Sequence, residues 1–327
     1  MKKYILHMFI ACILRFQLLS ISERVSAIIV VRHFTLEVIT GDFGTKQLTN
    51  PPEQNFHPSI FLYNGAITIC GGFYNGRKCL KLEHGIWKDF SSLHEERYRH
   101  SIVTTQTGIF VFGGLKSKAR ATYEYLPKGS TTWLMGKTEI PGGFDCGSAL
   151  TVKPDQEIWL IGGFLNTKRI LSFNVKDHTF QELPFQLREG RMGHSCAYIP
   201  NSNKIMITGG SEASDSTENL DAKGGTVTLA SCMNSERCTH GIGILTIKGE
   251  DRLAVFGGDD GPLNALDTVE LYNAKTKKWE TTDIKLNGPK SRFGFLTVKL
   301  SDVIPELQYT VPELRNGSSL NRWCNIC

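Results

Sequence analysis

The stretch "GIFVFGGLKSKARATYEYLPKGSTTW" (residues 108–133) sets the pattern for the whole chain. Its apolar run "IFVF" is aromatic and β-branched, the composition of a strand, and it stops at Gly113 and Gly114. A polar loop follows, then the strand-like "TYEYL" (122–126), a Pro-Lys-Gly-Ser turn and Trp133. Glycine accepts positive φ and lets backbones approach closely, so the doublet marks a strand end pressed against another element.

The same grammar recurs. "ITICGG", "IFVFGG", "IWLIGG", "IMITGG" and "LAVFGG" place the first glycine of each doublet at Gly71, Gly113, Gly162, Gly209 and Gly257, at spacings of 42, 49, 47 and 48 residues. Small polar clusters open the units: "RYRHS" (97–101), "DCGSA" (145–149), "RMGHS" (191–195) and "RCTHG" (237–241). After each doublet and its loop comes a third strand, such as "ILSFNV" (170–175) or "TVELYN" (268–273), then a turn and an aromatic residue: Trp87, Trp133, Phe180 or Trp279. Four short strands per unit at a period near 50 describe propeller blades. The aromatics are expected to fill the space between neighbouring sheets, with Val227 or Leu229 substituting in the fourth unit.

The ends of the chain decide the blade count. "SRFGFLTVKL" (291–300) opens a further unit that has no doublet, and "FTLEVITGDFGTKQL" (34–48) reads as the last two strands of a unit without a start. Joined, they complete one blade and remove open sheet edges. "PELQYTV" (305–311) is expected to supply that blade's second strand. The predicted fold is all-β, a six-bladed propeller whose last blade is closed by strands from both termini.

The doublet followed by Tyr and then Trp resembles the kelch repeat, carried by Gly113-Gly114, Tyr125 and Trp133, and by Gly257-Gly258, Tyr272 and Trp279. The resemblance covers roughly residues 34–300, and the first unit departs from it with Leu82 at the Tyr position. It implies a kelch-type propeller over 28–311, with loops gathered on one face around the mouth of a central channel. On that face it places Arg97, Tyr98, Arg99, Arg191, Arg237, Arg292 and Phe293 as candidate ligand contacts. Guanidinium groups there suit carboxylates of a peptide or glycan. As recurring parts of the repeat, the arginines equally suit an internal role, satisfying carbonyls between blades.

Residues 1–22, "MKKYILHMFIACILRFQLLSIS", join a basic start to a short apolar run and small polar residues, the pattern of a secretory signal peptide cut after Ser22 or as late as Ala27. The run is too short for a membrane-spanning helix. Loss of Lys2, Lys3 and Arg15 takes the net charge from +5 to +2, which gives no electrostatic case for nucleic acid. Eight cysteines follow Cys12, an even number that favours disulfides in an exported chain. Cys70 with Cys79 is the expected pair, and Cys232 with Cys238 a further one. Asn316, in "NGSS", is a candidate glycosylation site in a C-terminal tail, 312–327. Leader, bare repeats and cysteines together are similar to secreted kelch-like proteins of arthropods and other invertebrates.

Chemistry-bearing motifs are sparse. The sequence holds no phosphate-binding loop and no nucleophile elbow, and "HEER" (94–97) lacks the second histidine of a zinc-protease helix. His100, His194 and His240 each follow an arginine by three residues, and such repetition points to structure rather than to a metal. No cofactor or metal is expected. The functional expectation is a secreted, non-enzymatic module that presents loops to a protein or glycan. The alternatives are a sugar-processing enzyme of mutarotase type on the same propeller, and an intracellular kelch adaptor.

Overall fold

"SAIIVVR" (26–32) shows how the ring is sealed. In the computed structural model, which describes residues 25–310 except 43, 117, 212, 213, 262 and 263, this run is the strand Ser26–Arg32, buried along almost its whole length. It lies between Gly294–Lys299, from the other end of the chain, and Thr35–Thr40, with Gly44–Gln47 outermost. Continuous burial on both faces explains its unbroken β-branched composition.

Five further four-stranded antiparallel sheets follow in chain order. Blade one comprises Ser59–Tyr63, Ala66–Cys70, Cys79–Glu83 and Ile86–Phe90. Blade two comprises Ser101–Thr104, Gly108–Phe112, Tyr123–Pro127 and Leu134–Met135. Blade three is Ser148–Lys153, Glu157–Ile161, Ile170–Asn174 and Thr179–Glu182; blade four is Ser195–Tyr198, Lys204–Thr208, Thr217–Asp221 and Val227–Ala230. Blade five is Gly241–Ile247, Glu250–Phe256, Thr268–Asn273 and Lys278–Lys285; the sealing sheet is blade six. The first strands touch one another in a closed circuit, which puts them innermost around the channel. The chain is thus an all-β, six-bladed propeller, with only a 3-10 turn, Ala119–Ala121, and one α-helix, Leu300–Thr310, among the described residues.

That helix corrects an expectation. Residues 305–310 do not form the second strand of blade six; Ser26–Arg32 does. Pro305 carries no N–H for an inner sheet position, whereas 26–32 offers every donor. The helix instead packs Leu300 and Val303 beside blades six and one, and Glu306 accepts hydrogen bonds from the backbone N–H groups of His84 (3.0 Å) and Gly85 (2.8 Å). The first strand along the chain begins at Ser26. The expected leader, the tail and Asn316 lie outside the described residues.

The doublets have a steric cause. At Gly113, where φ is +64°, a Cβ would sit 1.8 Å from the carbonyl oxygen of Phe144 in the next blade. At Gly71, a Cβ would meet both the Arg97 carbonyl and the His100 ring at 2.7 Å. Each doublet is where one blade's inner edge is overlaid by the chain entering its neighbour. In the fourth unit Val227, opposite Leu220, takes the place of the missing aromatic, while Leu229 is exposed.

Candidate functional site

The segments that lead into the innermost strands build the channel mouth. In each, the residue two before the strand adopts positive φ: His57 (53°), Arg99 (56°), Cys146 (53°), Gly193 (66°), Thr239 (53°) and Arg292 (58°). These six form a ring. The N–H of His57 donates to Arg292 O (2.8 Å), Cys146 to Arg99 O (3.1 Å), Gly193 to Cys146 O (2.7 Å), Thr239 to Gly193 O (2.6 Å) and Arg292 to Thr239 O (3.3 Å). A β-branched threonine in the left-handed region is costly in isolation. The ring hydrogen bonds hold it there, so these five backbone links rather than side-chain preference fix the mouth.

Beneath the ring lies the internal framework, which relocates three candidate ligand contacts. Arg97, Arg191 and Arg237 are completely buried. Their Nε and NH groups engage Glu124 (3.0 Å), Glu218 (2.9 Å) and Glu270 (2.9 Å), and their Nη1 atoms reach the carbonyls of Gly113, Gly209 and Gly257. Nη2 takes the hydroxyl of Thr122, Ser216 or Thr268. Each glutamate also accepts two backbone N–H groups from the incoming segment, as Glu124 does from His94 (2.7 Å) and Glu95 (3.0 Å). These arginines brace the blades from inside the protein. The sequence signal was present in the third strands as Thr/Ser-x-Glu: Thr122 with Glu124, Ser216 with Glu218, Thr268 with Glu270.

Arg292 does not belong to that series. Its equivalent there is Lys290, which faces Glu37 at 3.4 Å, and Arg292 instead occupies the exposed ring position. Phe293 is buried beside Gly257, the place that His100 takes beside Gly71, and it lines the floor of the mouth cavity. His100 and His194 are buried in the same way. Burial, with the nearby Arg97 or Arg191 guanidinium, pushes each down to about 3 and leaves it neutral.

At the mouth, Arg99, Arg292, His57, Cys146, Thr239 and Asp259 line a cavity of about 650 Å³, with Tyr98 packed on His57 and Arg32 close to Asp259 and Arg292. Arg32 stands where other blades carry the first glycine, because Val31 pairs with Gly294 as Phe112 does with Ser101. Burial, then the charges of Arg99 and Arg292, push His57 down to about 3. Burial lifts the Cys146 thiol to about 11. Neither exchanges protons readily near neutral pH; the arrangement is fitted to binding charge. Thr239 donates its hydroxyl to Asp259 (2.9 Å), and Asp259 faces Arg292 at 3.9 Å.

Beside the arginines stands an aromatic wall. Phe73 packs edge-on against Tyr74 and Tyr98, both at 5.2 Å, and Tyr74 reaches Phe56 at 5.7 Å. Phe73 and Tyr74 are 46% and 58% exposed. They lie on the loop 71–78, which the disulfide between Cys70 and Cys79 closes at its base. Cys232 and Cys238, by contrast, are free. Cys232 follows an outermost strand and Cys238 precedes the innermost strand of the next blade, and the two thiols are not joined. Among the described residues, no three His, Cys, Asp or Glu side chains gather to hold a metal, and no helix is long and apolar enough to cross a membrane.

The family description "Kelch motif" matches residues 251–282, most of the outer three strands of blade five. With six blades of one pattern, that match supports a kelch-repeat propeller, an architecture that points to a protein-binding module. No curated protein matches the chain.

Proposed function

We propose that this protein is an exported, non-enzymatic module that holds a protein ligand on the channel-mouth face. The carrying observation is the exposed Phe73–Tyr74 pair, packed on Tyr98, the chain neighbour of the cavity-lining Arg99. Tyr and Arg dominate the energetics of protein interfaces, and contiguous exposed aromatics on a rigid scaffold mark interaction sites. Export is supported by the leader pattern of residues 1–22 and by a disulfide that an oxidising compartment would maintain. A non-catalytic role is supported by the low basicity of His57 and the undissociated Cys146 thiol.

A photo-crosslinking residue placed at Tyr74, against a control at Leu229 on an outer strand, tests the surface. One protein adduct specific to position 74 and lost with Arg99→Gln is expected. Retention on a glycan array without such an adduct would replace the protein ligand by a sugar, and anomerisation of a sugar would restore the enzymatic alternative. N-terminal sequencing of secreted material should begin after Ser22; an intact Met1 on cytosolic protein with reduced Cys70 would favour the adaptor.

A further inference from the structure

The mouth is electrically divided. On the side of blades six, one and two, Arg32, Arg99 and Arg292 converge on His57. Arg99 touches the His57 Nε2 (3.4 Å) and Cys146 Sγ (3.5 Å), neither of them negative. Arg32 lies over the Phe56 ring at 5.4 Å, and its Nε is buried without a hydrogen-bond partner. Asp259, 3.9 Å from Arg292, is the carboxylate closest to this group among the described ion pairs. Further round the rim, on the side of blades four and five, Glu236 and Asp260 are exposed; among the described residues neither forms an ion pair, and Asp260 accepts a hydrogen bond from Asn264. One half is short of negative charge and the other of positive.

The rim is also notched. Between second and third strands, blades one to five carry loops of at least eight residues, such as 71–78 and 162–169, whereas blade six turns within His33 and Phe34. A chain lying in the mouth can leave sideways over blade six, past the exposed Phe34, with the Phe56–Tyr74 wall on one flank and Asp260 on the other.

We propose that the mouth takes a segment of a partner protein bearing both an acidic and a basic side chain, held in one direction. The acidic group meets Arg99, Arg292 and Arg32; the basic group meets Glu236 and Asp260. This rests on the protein-binding role above and adds polarity to it. A purely acidic segment would satisfy one half and be repelled by the other, because charges placed against like charges discriminate as strongly as those placed against opposites. An apolar residue beside the acidic one packs on Tyr74 and Phe73.

Capped decapeptides carrying one Glu and one Lys, at separations of two to six residues and in both orders, test this against Glu-only and Lys-only controls. Binding is read by fluorescence anisotropy at low and at physiological salt. One order of the mixed peptides is expected to bind roughly tenfold tighter than either control, with the gain shrinking as salt rises. Glu236→Lys with Asp260→Lys, both exposed and neither hydrogen-bonded to the buried arginines, should turn the preference toward Glu-only peptides. Arg99→Gln with Arg292→Gln should lose the mixed peptides. Equal binding of Glu-only and mixed peptides, equal binding in both orders, or unchanged selectivity in the lysine variant overturns the proposal. The first two outcomes leave the protein-binding role standing; a missing adduct at position 74 removes that role itself.

Discussion

Lys290 and Glu37 face each other at 3.4 Å across the seam of blade six, occupying the places where blades two, four and five carry a buried arginine and glutamate. Blade three fills the same places with Phe144 and Leu171, and blade one with Asn55 and Leu80. One structural position thus tolerates an ion pair with Arg, an ion pair with Lys, or apolar packing. A buried pair repays its desolvation only when every hydrogen-bonding group is met, and apolar replacement of both partners is often neutral.

Removing one partner is therefore far worse than replacing both. Arg97→Met should destabilise by roughly 3–5 kcal/mol, by stranding the Glu124 carboxylate and the Gly113 carbonyl. Arg97→Phe combined with Glu124→Leu, the blade-three solution, should recover most of that loss. Urea unfolding of the single and double variants measures the coupling; additive losses would contradict it.

Acid should weaken the fold through the buried imidazoles. His100 and His194 are held down to about 3, while an unfolded histidine titrates near 6.5, so the unfolded chain binds more protons between these values. Stability is complete above about 6.5 and falls as pH drops toward about 3, by roughly 2 kcal/mol per histidine at pH 5. Blade six already uses Phe293 at this position. His100→Phe should flatten the dependence of Tm on pH between 7 and 5 in a differential scanning experiment.

The disulfide replaces an aromatic contact. Cys70 pairs with Cys79 where blade two pairs Phe112 with Tyr123. Closing a loop of nine-residue separation contributes roughly 2–3 kcal/mol by chain entropy. A reducing agent or Cys79→Ser should lower the unfolding free energy by that amount and raise proteolysis within 71–78, displacing the Phe73–Tyr74 wall.

Glu306 clasps the turn of blade one from the far end of the chain. Glu306→Ala should cost about 2 kcal/mol, because two backbone donors lose a charged acceptor. Hydrogen exchange at His84 and Gly85 should accelerate in that variant, with the mouth unaffected.

Much of this was legible in the chain. Local rules sufficed for the doublets, the strand order, the blade count and the union of both termini, since each unit repeats its turn chemistry and its alternation. The second strand of blade six escaped because "SAIIVVR" follows directly on an apolar leader-like run and lacks the glycine doublet. The segment 305–311 misled because Leu307, Tyr309 and Val311 alternate in sequence with Glu306, Gln308 and Thr310, as strand residues would. The helix is stabilised by Val303 and Glu306 contacts that no local pattern shows.

The arginines divide in the same way. Sequence placed Arg97, Arg191, Arg237 and Arg292 together, since all precede an innermost strand. A shift of two residues separates Arg292 from the others, and it sends one side chain into the channel mouth and the other three into the protein. The repeated sequence alone determined that sheets would close into a ring, because every unit needs a neighbour to cover its apolar faces. Only the tertiary structure decided which charged groups are brace and which are surface, because that depends on a Glu from a strand some thirty residues away and on carbonyls exposed by the glycines.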